Sequence, residues 1–367
     1  MDVLGVRPKN FQIFLTERCQ LGCTYCYLDK KAVDIDPETA MQGIKEYLKD
    51  SLPGDRWVSF YGGEPLLAFP LLKKIANYIR REHSPQDVKM QMTTNGALMT
   101  QEVALFCATR QIAVTLSLDG PKERHDGCRK SKQSSYDAVL KAADLLREQG
   151  LRLQANMVVR PEDAVGMLDN IKHIASKKFD QIDLLPDGYA DWKPGDLQAF
   201  ADSMRYLRDY YIEQFQTIEG TRFTIGQVHH VMNDKRKYVW KDCSKRVLSA
   251  DGKYYSCDRA MSLPPEMRRL YASGDPQSGY NQGTSCASLD AIREEVRIDG
   301  KDRCRTCKWA SKCFCYLGHL VGSVDVSLRS SRWNNACAIS MDLLSNCTDI
   351  SESLKTNDKF RQVYNLS

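Results

Sequence analysis

Six short apolar segments alternate with longer amphipathic segments over the first half of the chain, which predicts alternating strands and helices. The predicted strands are Phe11–Leu15, Trp57–Tyr61, Val88–Thr94, Ile112–Leu118, Leu151–Val159 and Gln181–Leu185. The predicted helices are Pro37–Lys49, Leu67–Glu82, Gln101–Thr109, Tyr136–Gln149, Val165–Lys177 and Leu197–Thr217. This alternation indicates an α/β fold of parallel βα units, either a partial (β/α)6 barrel, which the number of units favours, or an open doubly wound sheet. In both folds the functional site lies at the carboxyl ends of the strands.

The pattern changes between about residues 220 and 240, where strands become short and Gly, Ser and Cys increase. We therefore predict a barrel domain over residues 1–225 and a small cysteine-rich domain over residues 226–367. The first predicted strand lies close to residue 1, so we expect no additional amino-terminal domain for binding a peptide.

The chain of 367 residues contains 14 cysteines, which is unusual for a protein without a visible signal peptide. No apolar run reaches the length of a membrane span, so we expect a cytoplasmic protein that does not bind membranes. Structural disulfides are disfavoured in that compartment, so metal binding or redox chemistry explains the cysteines better. The formal charge of +5 gives no reason to expect nucleic acid as a partner.

Cys19, Cys23 and Cys26 follow the first predicted strand with the spacing C-x3-C-x2-C. Thiolates suit iron–sulfur clusters, and a cubane cluster with three protein ligands leaves one iron open to another molecule. A zinc site or a set of unrelated buried thiols is the alternative. Zinc usually takes four ligands in paired C-x2-C units, and no fourth His or Cys is near in the sequence.

With Tyr25 before its last cysteine, this motif resembles the signature of the radical S-adenosylmethionine (SAM) superfamily. The resemblance implies that Cys19, Cys23 and Cys26 ligate a 4Fe–4S cluster whose open iron binds the amino and carboxylate groups of SAM. It implies that Tyr25 packs beside the adenine. It also implies reductive cleavage of SAM to a 5′-deoxyadenosyl radical, which abstracts hydrogen from a substrate.

The motif Gly62-Gly63-Glu64 follows the second predicted strand. Glycines permit close backbone approach to a ligand, and a carboxylate can bind an ammonium group. An ordinary strand-to-helix turn is the alternative. At this position the motif resembles the segment of the superfamily that binds the amino group of SAM.

Asn95 ends the third predicted strand, and Ser117 and Asp119 end the fourth. Each segment alone is a credible polar turn. Together they resemble segments of anaerobic sulfatase-maturating enzymes. That resemblance implies that Ser117 contacts the carboxylate of SAM and that Asn95 and Asp119 line the site. Arg129 is either a partner for a carboxylate or a solvated basic residue.

Nine cysteines lie between residues 243 and 347, in a pattern that resembles the SPASM extension with its two auxiliary 4Fe–4S clusters. The implied cofactors are therefore SAM and three 4Fe–4S clusters. The ligands implied for the first auxiliary cluster are Cys243, Cys257 and, from a shifted loop, Cys315. Those for the second are Cys304, Cys307, Cys313 and Cys337, with Cys347 in reserve. A zinc ribbon built from four of these cysteines is the alternative.

At Cys315 the spacing Cys313-x-Cys315 departs from the family spacing C-x3-C. Three further cysteines are interpreted as isolated thiols, namely Cys107, Cys128 and Cys286.

Asp258 directly follows Cys257, at a place where sulfatase-maturating enzymes have an aspartate that acts as the base. A local hydrogen bond within the loop is the alternative role. The resemblance implies oxidation or cross-linking of a peptide or protein side chain, with an electron donor such as flavodoxin or ferredoxin. Radical oxidation or epimerisation of a small metabolite is the second hypothesis. A non-enzymatic zinc- or iron–sulfur-binding protein is the third.

Overall fold

The computed structural model describes residues 9–54, 56–217, 223–233, 245–281, 307–309 and 329–366. Its strands are β1 Asn10–Phe14, β2 Gly22–Cys23, β3 Arg56–Tyr61, β4 Val88–Thr94, β5 Ile112–Ser117, β6 Arg129–Lys130, β7 Gln154–Val159, β8 Gln181–Pro186, β9 Thr224–Ile225, β10 Lys245–Leu248, β11 Tyr254–Tyr255, β12 Gly274–Asp275 and β13 Gly279–Tyr280. Its helices are α1 Pro37–Asp50, α2 Phe69–Glu82, α3 Gln101–Thr109, α4 Lys122–Cys128, α5 Ser135–Glu148, α6 Met167–Ser176, α7 Pro194–Gln216, α8 Gly226–Asn233, α9 Pro265–Arg268, α10 Arg329–Leu354 and α11 Asp358–Val363. Short 3₁₀ turns occupy Pro65–Ala68, Pro161–Asp163, Asp258–Ser262 and Arg269–Tyr271.

A nine-stranded sheet organises the chain, in the order β11-β10-β1-β3-β4-β5-β7-β8-β9. Every neighbouring pair from β10 to β9 is parallel, and only β11 runs antiparallel, against β10. The six predicted strands are β1, β3, β4, β5, β7 and β8, which lie side by side in chain order as consecutive βα units require. The prediction of a parallel α/β fold is confirmed. Within the described residues the sheet is open.

The two faces of the sheet differ in polarity. One face is apolar and fully buried, and it includes Phe60, Val114 and Ile182. The other face carries the polar side chains of Gln12, Ser59, Gln91, Thr93, Thr115, Ser117, Gln154, Asn156, Gln181 and Asp183, most of them partly exposed. Parallel strands covered on both faces by helices have near-continuous apolar sequences, so this alternation indicates that helices cover one face alone. The polar face is therefore available to a hydrophilic ligand.

The structure adds elements that the sequence pattern did not predict. α4 and β6 follow β5, in a segment for which the sequence pattern predicted neither a helix nor a strand. β6 pairs with β2 and brings Arg129 opposite Cys23. β10 pairs with β1 and so extends the sheet beyond the predicted barrel strands. The division of the chain at residues 225 and 226 stays a prediction.

A buried ion pair joins the segment after β1 to a distant part of the chain. The Arg268 guanidinium of α9 donates to the Glu17 carboxylate, and both side chains are almost completely buried. Removing one partner from such a pair typically costs about 3–5 kcal/mol, because the other charge stays buried without compensation. Arg268 also donates to the Met261 carbonyl oxygen. The ion pair therefore holds the segment of residues 261–268 against the start of the cysteine loop.

Within the described ranges, no helix is both long enough and apolar enough to cross a membrane.

Candidate functional site

The loop that carries Cys19, Cys23 and Cys26 leaves the carboxyl end of β1 and is packed tightly against the end of β3. The Gly63 amide donates to the Thr16 carbonyl oxygen at 2.9 Å, and the Glu64 amide donates to the Arg18 carbonyl oxygen at 2.8 Å. A Cβ atom at Gly62 or at Gly63 would lie 2.3 Å from a carbonyl oxygen of this segment. The close approach that these glycines permit is thus, in this structure, an approach to the chain that leads into Cys19.

The three cysteines lie on one short loop and are at least partly accessible, with Cys26 exposed. Among the described residues, no three His, Cys, Asp or Glu side chains converge where a single metal ion could bind. A cubane cluster does not need such convergence, because its thiolate ligands attach to separate iron atoms. The donor set of three soft sulfur atoms therefore fits a cluster.

Burial raises the pKa of the Cys19 thiol to about 11 and also raises the pKa of Cys23. Without a cluster both side chains are therefore neutral thiols near pH 7. Ligation requires thiolates, so cluster binding to this loop releases protons.

Glu64 is a buried carboxylate held by three hydrogen bonds from uncharged groups. The Thr94 hydroxyl donates to Oε1 at 2.7 Å, the Leu66 amide donates to Oε1 at 3.1 Å, and the Asn95 amide donates to Oε2 at 2.9 Å. Burial raises the pKa of Glu64. The side chain thus joins the ends of β3 and β4, and the described residues supply no cation for it.

Asn95 connects the end of β4 to the cysteine loop. Its Oδ1 accepts from the Gln20 side chain at 3.1 Å and from the Ala97 amide at 3.0 Å. Its Nδ2 lies 3.7 Å from the Cys19 sulfur atom. A donor at this distance can stabilise the negative charge of a thiolate, so Asn95 contacts a predicted cluster ligand.

A cluster of Asp119, Arg129 and Tyr25 anchors the other end of the loop. Asp119 is fully buried and accepts from Arg129 at 2.8 and 3.2 Å, from the Val158 amide at 3.0 Å and from the Tyr25 hydroxyl. The Arg129 guanidinium also lies 5.3 Å from the centre of the Tyr25 ring. Burial opposes ionisation of Asp119, but Arg129 outweighs burial and lowers the pKa of the carboxyl to about 2.

These contacts correct the interpretation of Arg129 as a solvated residue. Arg129 is 7% exposed, and its carboxylate partner belongs to the protein itself. Tyr25 is placed by the same contacts, with its hydroxyl group turned toward Asp119.

Ser117 lies at the end of β5 on the polar face of the sheet, in register with Asn156 of β7, which is in register with Asp183 of β8. Asp183 is a residue that sequence reasoning missed. Both oxygens of its carboxylate accept from the side-chain amide nitrogen of Gln181, each at 3.2 Å. Burial raises the pKa of Asp183 to about 6. An acidic residue within a predicted strand was the signal that could have identified it.

Asp258 opens a 3₁₀ turn directly after Cys257, beside two basic side chains. Lys245 donates to Oδ1 at 2.9 Å, and Arg259 lies 4.0 Å from Oδ2. Burial opposes ionisation, but Lys245 and then Arg259 outweigh it and hold the pKa of Asp258 below its ordinary range. The carboxylate is therefore ionised, as a proton acceptor must be, although its low pKa makes it a weak base in this arrangement.

The neighbouring Arg259 links this segment to the cysteine loop. Its guanidinium lies 4.7 Å from the centre of the Tyr27 ring and 5.7 Å from that of Tyr189, and the two rings are stacked with their centres 6.2 Å apart. Tyr27 directly follows Cys26. The structure therefore brings residues 257–259 close to the loop of the predicted radical-generating cluster.

The remaining predicted ligands are distributed unevenly over the described residues. Cys257 and Cys307 are partly exposed, and Cys337 is exposed on α10. Cys347 is fully buried in the apolar core, where burial raises its pKa. Cys107 and Cys128 are buried thiols. The other predicted cysteines lie outside the described residues, namely Cys243, Cys286, Cys304, Cys313 and Cys315.

Comparisons with known proteins agree on one family. The sequence model of the Radical SAM superfamily matches residues 13–173 of this chain. A serine-type anaerobic sulfatase-maturating enzyme of Bacteroides thetaiotaomicron is 30% identical over 291 residues, which cover 69% of this chain and 70% of that relative. A cysteine-type anaerobic sulfatase-maturating enzyme of Clostridium perfringens is 25% identical over 329 residues, which cover 80% of this chain and 84% of that relative.

Solved structures share the fold. The structure of anSMEcpe with bound AdoMet superposes with a TM-score of 0.76 at 21% identity and covers 98% of both chains. Streptococcus suis SuiB bound to the precursor peptide SuiA gives a TM-score of 0.59 at 16% identity, covering 87% of this chain and 74% of SuiB. At these identities the similarity shows the arrangement of the elements.

Asp183→Asn is expected to stabilise the cluster-free protein at alkaline pH. The folded-state pKa of about 6 exceeds the ordinary value of 3.8, so the stability contributed by protonated Asp183 is complete below about pH 3.8 and lost as pH rises through 6. A pKa difference of about 2 corresponds to a loss of at most about 3 kcal/mol in the free energy of unfolding. The variant should unfold at a higher temperature than wild type at pH 8, with the difference shrinking toward pH 4.

The matched control is Asp144→Asn, which changes an exposed carboxylate on α5 paired with Arg147. This control should leave the midpoint temperature of unfolding unchanged at pH 8 and at pH 4. A midpoint for Asp183→Asn at or below that of wild type at pH 8 would contradict the burial penalty at Asp183.

Proposed function

Because the chain belongs to the radical SAM superfamily, we propose that it abstracts hydrogen from a side chain of a peptide or protein and thereby oxidises or cross-links it. The observation that carries this proposal is the packing of the cysteine loop. Gly62 and Gly63 bring the backbone of β3 against the start of the loop, and Asp119 fixes Tyr25 near its end. A three-cysteine loop held from both sides by strand ends suits a cluster that must keep one iron open.

The chain's own residues divide the binding of cluster and cofactor among them. Cys19, Cys23 and Cys26 would hold the cluster, and Asn95 would donate to the Cys19 sulfur atom. Glu64, which lacks a cationic partner among the described residues, would bind the amino group of SAM. When bound and reduced, the cluster supplies the electron that splits SAM and yields the hydrogen-abstracting radical.

Two further cofactor contacts follow from position. Ser117 would face the carboxylate of SAM from the end of β5, and Tyr25 would pack beside the adenine. The hydrogen bond from Tyr25 to Asp119 orients the ring before the cofactor arrives. Preorganisation of this kind lowers the entropy lost on binding.

The names of the similar proteins support a peptide or protein substrate. Two of them are sulfatase-maturating enzymes, and SuiB was solved with a precursor peptide. We extend this substrate class to the present chain. We also propose that the reaction takes place in the cytoplasm, with a flavodoxin or ferredoxin as electron donor, because thiol ligands stay reduced there.

We further propose two auxiliary 4Fe–4S clusters, ligated by Cys257, Cys307, Cys337 and the predicted cysteines outside the described residues. In this arrangement Asp258 would accept a proton from the substrate, and an auxiliary cluster held beside it would supply a one-electron acceptor. Its position beside Cys257 and close to Tyr27 supports this role. The pairing with Lys245 would have to loosen for the carboxylate to act as a strong base.

Replacing Cys19, Cys23 and Cys26 together by Ala should abolish formation of 5′-deoxyadenosine, because the cluster loses its three protein ligands. The measurement is 5′-deoxyadenosine in an anaerobic assay with SAM and dithionite. Cys107→Ala is the control, since this buried thiol lies on α3 and should not affect the reaction. Cofactor cleavage by the purified triple variant would refute the assignment.

Anaerobic reconstitution should give more than one cluster per chain, because the cysteines beyond residue 243 exceed the need of a single cluster. Three 4Fe–4S clusters correspond to about 12 iron and about 12 sulfide per chain. Metal and sulfide analysis checks this number. Values near one cluster, together with bound zinc, would favour the zinc ribbon.

Asp258→Asn should lower product formation more than it lowers 5′-deoxyadenosine formation, since the amide keeps the shape but cannot accept the proton. Loss of a general base typically costs about 10²–10⁴ in rate. Both products are measured in one anaerobic assay with a peptide that the wild-type enzyme modifies. The control is Asp251→Asn, a carboxylate of the same segment that accepts from the Tyr255 hydroxyl. Normal product formation by cluster-replete Asp258→Asn would leave Asp258 with a structural role only.

A further inference from the structure

The carboxylates on or after the strands of the sheet differ in how their charge is balanced. Asp119 is paired with Arg129, and Asp163 is paired with Arg124 and Arg160. Asp183 forms no ion pair with any described Lys or Arg side chain, and its hydrogen bonds come from the neutral amide of Gln181. Charges removed from water are normally paired in proteins, so the partly buried Asp183 has capacity for a cation that the described residues do not supply.

Glu64 is in the same condition, and its cation is already assigned, because the proposed partner is the amino group of SAM. Asp183 is a separate site. It belongs to β8, whereas Glu64 follows β3 on the other side of β4, β5 and β7. The cation that satisfies Glu64 is therefore not the one that satisfies Asp183.

Strand register places Asp183 beside the proposed cofactor site. Ser117, Asn156 and Asp183 form one row across β5, β7 and β8 on the polar face of the sheet. Neighbouring strands are about 4.8 Å apart, so Asp183 lies about 10 Å from Ser117 along this row. A substrate that approaches a cofactor bound near Ser117 comes within reach of Asp183.

The first residue of α8 leaves space for the carboxylate. Gly226 follows β9 and stands next to Asp183, and a Cβ atom at Gly226 would lie only 1.5 Å from Oδ1 of Asp183. Any other residue at position 226 would displace this carboxylate. In the described structure no backbone N–H of α8 donates to Asp183, so the carboxylate does not act as a cap of that helix.

We propose that Asp183 binds a cationic N–H group of the peptide substrate, either the ammonium or guanidinium group of a Lys or Arg side chain or a free amino terminus. The proposal rests on the proposed function, since it names the recognition element of the substrate for the same reaction. Asp183 orients the peptide on the polar face, so that a neighbouring C–H bond lies near the cofactor. General electrostatic attraction does not explain such binding, because the formal charge of the chain is +5.

The test is selection of peptides by the reconstituted, immobilised holoenzyme with SAM under anaerobic conditions. The first pool contains acetylated, amidated hexapeptides with one central Lys, Arg, norleucine or citrulline. The second pool contains hexapeptides with neither Lys nor Arg, each in a form with a free amino terminus and in an acetylated form. Mass spectrometry of the bound fraction gives the enrichment of each class.

Wild-type enzyme should enrich Lys over norleucine and Arg over citrulline, or else the free amino terminus over its acetylated form. Hydrogen bonds to charged groups contribute about 1.5–3 kcal/mol, so the preference should be roughly 10- to 100-fold. Asp183→Asn should remove most of this preference, while the exposed control Asp144→Asn should keep it. The arm that shows the preference identifies the side chain or the amino terminus as the cation.

Equal binding of cationic and neutral peptides by the wild-type enzyme would overturn the proposal, and so would an unchanged preference in Asp183→Asn. The comparisons of cationic with neutral peptides need no variant, so equal binding in both pools overturns the proposal even where Asp183→Asn reconstitutes poorly. Formation of 5′-deoxyadenosine without a cationic preference would refute the role of Asp183 alone. If a cluster-replete enzyme keeps the preference for cationic peptides but forms no 5′-deoxyadenosine, the proposed reaction is refuted instead.

Discussion

The site depends most on the buried ion pair between the Asp119 carboxylate and Arg129. The carboxylate accepts hydrogen bonds from Arg129, from the Val158 amide and from Tyr25, so it joins the end of β5 to β6, to β7 and to the cysteine loop. Taking two charges out of water is costly, and a pair repays that cost only when its remaining hydrogen-bonding groups are also satisfied. Asp119 meets this condition through neutral donors on two other elements. The geometry of the loop is therefore tied to the geometry of the sheet.

The fold and the position of the site follow from local patterns that can be read in the sequence. Strand β5 was predicted as Ile112–Leu118 and is found as Ile112–Ser117, because its apolar residues and its polar turn are both local signals. Parallel βα units then bring the strand ends together at one edge, so the motifs at Cys19, Glu64 and Asn95 meet without any long-range information. The hydrogen bonds from Asn95 to Glu64 and from Asn95 to Cys19 show this convergence.

The features that the sequence did not reveal depend on contacts between residues far apart in the chain, or on which face of the sheet a side chain occupies. Arg129 was interpretable as a solvated residue until the structure placed Asp119 beside it. The pair of Glu17 and Arg268 spans 251 positions, and no periodic pattern records such a contact. Asp183 was hidden in a short apolar strand, since only the register between β7 and β8 shows that it shares a face with Ser117.

Burial acts on the carboxylates of this site in two opposite ways. At Asp119 an arginine outweighs burial and the pKa falls to about 2, so the charge serves the stability of the fold. At Glu64 and Asp183 burial prevails and the pKa of each carboxyl is raised, so ionisation near neutral pH costs stability. A cation brought by a cofactor or a substrate would reverse that cost, because it turns an uncompensated charge into a pair. The free energy that folding loses at these two positions would then contribute to binding.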